Sequence, residues 1–192
     1  DVAAVEYEES RYRQTRYMAN VAGVGFDAAV IKRGQMMNGN DKKKKGTGFY
    51  IRALINTFFR YKPTGVKIWV NDRLLYNNLL FSLAAGVGKY NGGGIQQLPQ
   101  SVADDGLLDI TLIKPLHWWH VIFRLRRLFN GEIYSIGHVQ HLQGSKIRIE
   151  SSPEIDLEID GELHGGTPVE LRVLHRAVKV IVNKSFIDKL QR

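Results

Sequence analysis

The chain has 192 residues, a formal net charge of +8 from 27 Lys+Arg against 19 Asp+Glu, 44% hydrophobic residues and no cysteine. That composition belongs to a folded domain, and the length buries enough surface to need no disulfide or metal staple. The absence of thiols removes disulfide frameworks, Cys-ligated zinc, iron–sulfur clusters and cysteine nucleophiles, and no apolar run approaches the ~20 residues of a membrane-spanning helix.

The chain opens DVAAVEYEES, with no signal-peptide pattern and no initiator Met. A processed chain or a fragment of something longer is therefore expected. Val2–Glu8 alternates and reads as a strand, and Arg16–Val24 as a second one. Gly23-Val24-Gly25-Phe26-Asp27 then turns into a helix from about Ala28 toward Gly34, with Asp27 as its N-cap. Residues 31–73 hold eleven basic residues against Asp41 and Asp72, so this stretch carries +9 and the other 149 positions about −1. Such a region suits an anionic partner: lipid headgroups, nucleic acid or a nucleotide phosphate. Its Lys42–Lys45 run lies in loop chemistry and equally fits a solvated loop.

A second helix is expected at about Phe49–Arg60, with Ile51, Leu54, Ile55, Phe58 and Phe59 on its apolar face. Val66–Val70 and Leu74–Leu83 form a hairpin about Asn71-Asp72. Leu107–Lys114 reads as a strand, and Pro115–Phe129 as a helix stopped near Gly131. That helix mixes Trp118 and Trp119 with Arg124, Arg126 and Arg127, a combination found at membrane interfaces and equally in a core helix with a basic edge. Strands follow at Val139–Leu142, Lys146–Glu150, Ile155–Asp160, Thr167–Leu174 and Ala177–Val182, with a helical tail at Ser185–Leu190. About ten short strands and two or three helices make the chain mainly β, an antiparallel β-sandwich or barrel decorated by helices.

Three clusters could carry chemistry. Asn20–Asp27 feeds a strand through a Gly turn into a helix, which a tight turn with an Asp cap also explains. Gly86–Gly94, followed by Pro99 and Asp104-Asp105-Gly106-Leu107-Leu108-Asp109, brings backbone N–H groups near an anion and acids near a hard cation. Glu158-Ile159-Asp160-Gly161-Glu162 presents Glu162 at a hairpin tip, where it is either a general base or part of a solvated turn. The six histidines have no metal-ligand spacing, and His138 and His141 read as a strand edge.

In order, N-x-x-G-x-G-F-D-A, G-K-Y-x-G-G-G, P-x-x-x-x-D-D-G-L-L-D and D-G-E resemble the C-terminal half of the diacylglycerol kinase/sphingosine kinase catalytic family, in its bacterial lipid kinase branch. The resemblance runs from about Tyr17 to Val182. It implies an antiparallel β-sandwich like the C-terminal domains of NAD kinase and diacylglycerol kinase. The whole of 1–192 would be this lipid-binding and catalytic domain. The ATP-binding domain, with its Gly-Gly-Asp-Gly-Thr motif, would lie outside the chain, which lacks that motif.

The resemblance further implies transfer of the γ-phosphate of ATP to a lipid hydroxyl, of diacylglycerol or sphingoid type. Glu162 would be the proton acceptor. Asp105 would ligate a structural Mg²⁺ with the carbonyls of Val102 and Leu107. Asp27 would sit at the lipid headgroup, and Gly92, Gly93 and Gly94 near phosphates at the domain interface. Expected partners are a lipid substrate and peripheral membrane contact, in the cytoplasm at the inner membrane face. A homodimer is compatible with this, and no specific nucleic acid is expected. Two other readings stay open: a non-enzymatic domain binding anionic lipid or nucleic acid through 31–73, and an NAD kinase-like kinase of a soluble substrate.

Overall fold

A computed structural model describes residues 1–38, 47–91, 94–117, 127 and 129–181. Eleven strands join in one antiparallel, strongly curled sheet: β1 (Val2–Glu9), β2 (Tyr12–Met18), β3 (Val21–Gly25), β4 (Thr64–Val70), β5 (Arg73–Leu80), β6 (Ser82–Gly86), β7 (Leu108–Ile113), β8 (Val139–Gly144), β9 (Lys146–Ser152), β10 (Asp156–Ile159) and β11 (Glu162–Leu174). Two helices, α1 (Phe26–Asn38) and α2 (Thr47–Phe58), lie between β3 and β4 in sequence. The sheet runs β5-β4-β9-β11-β10-β3-β6-β7-β8, with β1 pairing both β11 and β2.

The curl follows from alternation. Val66, Ile68 and Val70 on β4, Ala22 and Val24 on β3, Leu83 and Ala85 on β6, Leu108, Ile110 and Leu112 on β7, and Leu157 and Ile159 on β10 all enter one buried cluster. Side chains two apart share a face of a strand, so each strand turns its apolar set inward and the sheet closes around it. The central strands are covered on the outer face too. Phe26 and Val30 of α1 pack with Ala53 of α2 and Phe81, and Leu98 packs on Val21 and Ala84. All five residues of β3 and all five of β6 are consequently buried.

Several sequence expectations are corrected. The expected strand over Arg16–Val24 breaks into β2 and β3, because the Asp160 carboxylate takes the N–H groups of Ala19 (2.7 Å), Asn20 (2.9 Å) and Val21 (3.0 Å). Leu74–Leu83 is also two strands. Phe81 interrupts it, donating its N–H to Ile113 O at 2.9 Å and accepting that of Phe26 at 3.0 Å. Its ring stacks on Phe26 at 4.6 Å.

The buried stripe of α2 holds Ala53 and Thr57 with part-buried Leu54 and Phe58, whereas Ile55 and Phe59 are exposed. α1 begins at Phe26 and runs four residues past Gly34, so Asp27 sits inside its first turn and is not the N-cap. β11 starts at Glu162, well before Thr167, since Gly165 and Gly166 let the backbone pass where a Cβ would meet Glu8 O and Ile155 O. Residues 177–181 form no strand, and Val178, Val180 and Ile181 are exposed. The chain turns away at Arg176, which has φ 52° and donates its N–H to Asp1 Oδ1 at 2.7 Å. Lys42–Lys45, most of the expected 115–129 helix and the 185–190 tail lie outside the described residues.

The Asn71-Asp72 hairpin forms as read, with φ of 48° and 62° and Val70 paired to Arg73. β8, which carries His141, is an edge strand.

Candidate functional site

The site lies on the outer face of β10, β3 and β6, at the N-terminus of α1. The register decides which acids reach it. Glu158 pairs with Gly23 and Ile159 with Ala22. Ile159 points into the core, so Glu158 points outward, over Gly23. A Cβ at position 23 would stand 2.8 Å from Glu158 Oε1 and 3.2 Å from Asp27 Cβ. Glycine is thus needed for both acids to share this space.

Asp27 is part-buried, and its Oδ2 accepts the Gln97 amide at 2.5 Å. Its own N–H donates to Ser82 Oγ at 3.3 Å. The Asn91 amide donates to Gln97 Oε1 at 2.9 Å, so Gln97 links Asp27 to the loop that follows β6. Burial pushes the Asp27 carboxyl up to about 6, against the hydrogen bonds from Gln97 and Ser82. Tyr61 closes another side. Burial, with the Asp27 charge behind it, pushes its phenol up to about 12.

Glu158 is fully buried. Its Oε2 accepts the Gly161 N–H at 2.9 Å, and its Oε1 has no hydrogen-bond partner among the described residues. Burial raises its pKa to about 8, and the charges of Asp27 and Asp160 push the same way, against the Gly161 N–H and the Asn91 amide. The two carboxyls therefore titrate as an interacting pair, with Glu158 holding its proton the more tightly.

Glu162, the expected proton acceptor, is the first residue of β11 and is exposed. It pairs across the turn with Ile159. The turn itself is rigid. Asp160 and Gly161 take φ of 50° and 88°, the Asp160 N–H donates to Val21 O at 2.9 Å, and the Asp160 carboxylate holds the β2–β3 turn. The structure thus places Glu162 at a hydrogen-bonded hairpin tip, on the Ile159 side of the ladder, and gathers Asp27 with Glu158, Gln97 and Ser82 on the other side.

Gly94 has φ of 86°, which suits glycine, and Gly92 and Gly93 lie outside the described residues. Val102, Asp105 and Leu107 share the loop before β7. Val102 is exposed, and Asp105 Oδ1 accepts the Leu107 N–H at 2.9 Å. Among the described residues no group of three or more His, Asp or Glu is arranged to hold a metal ion. One carboxylate with backbone carbonyls is an all-oxygen donor set, and it fits a hard divalent cation that keeps several waters.

Sequence reasoning placed Glu158 and Asn91 within its candidate clusters but gave neither a role, and it missed Gln97 and Ser82. The signal for Glu158 was present: Asp156, Glu158 and Asp160 alternate with Leu157 and Ile159. That pattern reads as a solvated face, and only the covering helix and loop convert it into a buried one.

Residues 20–182 match the model of the YegS C-terminal NAD kinase beta sandwich-like domain. A candidate lipid kinase of Staphylococcus epidermidis is 24% identical over 167 residues, covering 86% of this chain and 53% of that protein. The diacylglycerol kinase of Bacillus subtilis is 25% identical over 130 residues, covering 67% of this chain and 42% of that one. The crystal structure of a candidate diacylglycerol kinase from Bacillus anthracis superposes with a TM-score of 0.61 at 23% identity, over 91% of this chain and 54% of that one. The chain thus spans about half the length of the curated relatives it matches. With the match over 20–182 and a curled antiparallel sheet that agrees with it, the chain belongs to the YegS C-terminal NAD kinase beta sandwich-like family.

Proposed function

We propose that this chain is the acceptor-binding part of an ATP-dependent lipid kinase acting on a lipid hydroxyl of diacylglycerol or sphingoid type. The observation that carries the reading is the exposed Glu162 carboxylate on a turn that is hydrogen-bonded to Glu158 through the Gly161 N–H, with Asp27 next to Glu158 over Gly23. The lipid kinase relatives support it.

In this reading Asp27 accepts a hydrogen bond from the lipid headgroup, and Glu162 takes the proton of the reacting hydroxyl as that oxygen becomes a nucleophile. ATP, held mainly by a domain outside this chain with Gly92–Gly94 nearby, supplies the phosphoryl group and leaves as ADP. Asp105 and the carbonyls of Val102 and Leu107 would hold a structural Mg²⁺ and stiffen the loop before β7.

The acceptor is drawn from a bilayer. Ala29, Lys32, Arg33, Met36, Thr57, Arg60 and Tyr61 line a groove of about 230 Å³ between α1 and α2. Exposed Met36, Ile55 and Phe59 stand on the same two-helix unit. Cations beside exposed apolar side chains suit an anionic membrane surface, at the inner face of the cytoplasmic membrane.

The test is transfer of labelled phosphate to diacylglycerol or a sphingoid base in mixed micelles by the full-length protein. Glu162→Gln should remove transfer and leave the fold intact. Undiminished transfer by that variant refutes the role of Glu162. A parent protein that binds anionic vesicles and phosphorylates no lipid would favour the non-enzymatic reading.

A further inference from the structure

Glu158 is a buried acid that the proposed reaction does not use. It touches three parts of the site at once. Its Oε2 receives the Gly161 N–H from the turn that presents Glu162. Its Oε1 lies over Gly23 beside the Asp27 side chain, with no hydrogen-bond partner among the described residues. Its backbone sits in the ladder between β3 and β11. The groups acting on it are Asp27 from α1, Asp160 and the Gly161 N–H from the turn, and the Asn91 amide from the loop after β6.

None of these is a cation. The nearest ion pair on β10, Lys32 with Asp156 at 2.8 Å, sits at the strand's other end and is exposed. An ionised Glu158 would thus be a second negative charge beside Asp27, with no cation among the described residues acting on it. A neutral Glu158 avoids that repulsion; the Gly161 N–H on Oε2 favours the ionised form, but it is outweighed by burial and the neighbouring acids.

We propose that Glu158 is a positioning residue of the acceptor site: in its neutral form it lets the Asp160–Gly161–Glu162 turn pack against the Asp27 side of Gly23, and its ionisation puts a second negative charge beside Asp27 in that buried space and forces the packing open. This rests on the lipid kinase reading for its catalytic consequence, though not for its structural one. Glu158 acts through Glu162 and Asp27 and is not itself a catalytic residue. The reaction therefore has an alkaline limit set by a residue that never meets the substrate.

The experiment compares the full-length parent with Glu158→Gln, Glu158→Ala and Glu162→Gln between pH 6 and 9, measuring kcat and KM for lipid phosphorylation. In parallel, the melting temperature of each is followed over the same range. Gln keeps a neutral carbonyl acceptor for Gly161 and cannot ionise. The parent should lose up to about tenfold in kcat between pH 7 and pH 9, and Glu158→Gln should not show that loss. Glu158→Ala should be low throughout, since the Gly161 N–H loses its acceptor. Glu162→Gln should be inactive at every pH.

In the melting arm, Glu158→Gln should gain on the parent from pH 6 to about pH 8 and level off beyond it. An alkaline limb of equal depth in parent and Glu158→Gln, or loss of activity by Glu158→Gln at all pH values, would overturn the proposal. If the parent phosphorylates no lipid at any pH, the kinase reading falls. The melting arm then still decides Glu158, because a parent and Glu158→Gln with parallel melting profiles reject its buried neutral state.

Discussion

Gly23 and Glu158 face each other across the β3–β10 ladder, and a methyl group on Gly23 would stand 2.8 Å from Glu158 Oε1. The added carbon also meets Glu158 Cγ and Asp27 Cβ at 3.2 Å, so two side chains must move, and both are confined. Gly23→Ala should cost about 1–3 kcal/mol of stability. Shortening the opposing side chain makes room, so Gly23→Ala should cost less in a Glu158→Ala background. A double-mutant cycle by urea denaturation measures this, and simple additivity would show that the two positions do not compete for space.

The buried acids give stability a pH dependence of definite sign. Asp27 and Glu158 both hold their protons more tightly folded than unfolded, at about 6 and about 8 against 3.8 and 4.5. Unfolding therefore releases protons, and their contribution is most favourable below pH 4. It declines through pH 6 for Asp27 and up to pH 8 for Glu158. For Asp27 the decline is on the order of 3 kcal/mol. Denaturation of Asp27→Asn at pH 4 and pH 7 should show a smaller drop than in the parent, and equal drops would contradict the burial of this carboxyl.

Asp160 accepts three consecutive N–H groups from Ala19, Asn20 and Val21 while adopting a φ of 50°. Asp160→Ala should lose about 1–2 kcal/mol, because the groups it serves lie near solvent and regain water. The same change unpins the turn that bears Glu162, so kcat should fall more than stability does. Amide exchange at residues 19–21 should accelerate in the variant, and unchanged exchange there would place the hold on this turn elsewhere.

Asp109 is fully buried, with His141 Nε2 at 2.6 Å and Gln143 Nε2 at 3.1 Å on one carboxylate oxygen. Tyr134 stacks on His141 at 4.6 Å and hydrogen-bonds Thr111 Oγ1 at 3.0 Å, and Thr111 in turn donates to Gln97 O at 2.6 Å. Asp109→Ala leaves His141 and Gln143 unpaired and should cost about 1–3 kcal/mol. Its reach to Gln97 predicts a raised KM for the lipid as well. A variant of unchanged melting temperature would show that this network adds nothing to the fold.

The α1–α2 face should attach to membranes through charge. Lys32, Arg33 and Arg60 replaced together by Ala should reduce flotation with vesicles containing phosphatidylserine severalfold, most strongly at low salt. Phe59→Ala should weaken attachment with little dependence on salt. Flotation untouched by either change would direct membrane contact to another surface.

Much of the fold was legible because it rests on alternation. β1, β4, β7, β9 and the Asn71-Asp72 hairpin fall where a period of two and a turn dipeptide place them. What escaped was decided by partners far away in the chain. The break between β2 and β3 depends on the Asp160 carboxylate, some 140 residues on, and the break at Phe81 on the backbone of Phe26 and Ile113. Glu158 and Asp27 could each be picked out by residue type. Their meeting over Gly23 required knowledge of which strand lies beside β3, and local pattern does not hold that information.

β11 runs from the site to the far end of the sheet. Its first residues pair with β10, and its later ones with β9 on one side and β1 on the other. Val2 therefore waits for Leu174, and Tyr7 for Val169. During synthesis β1 and β2 emerge with a ladder edge open, and nothing seals it until residues 166–174 have been made. The strand that completes the sheet is also the one that begins with Glu162. Closure of the fold and completion of the site are therefore a single late event, and a truncated product would lack both.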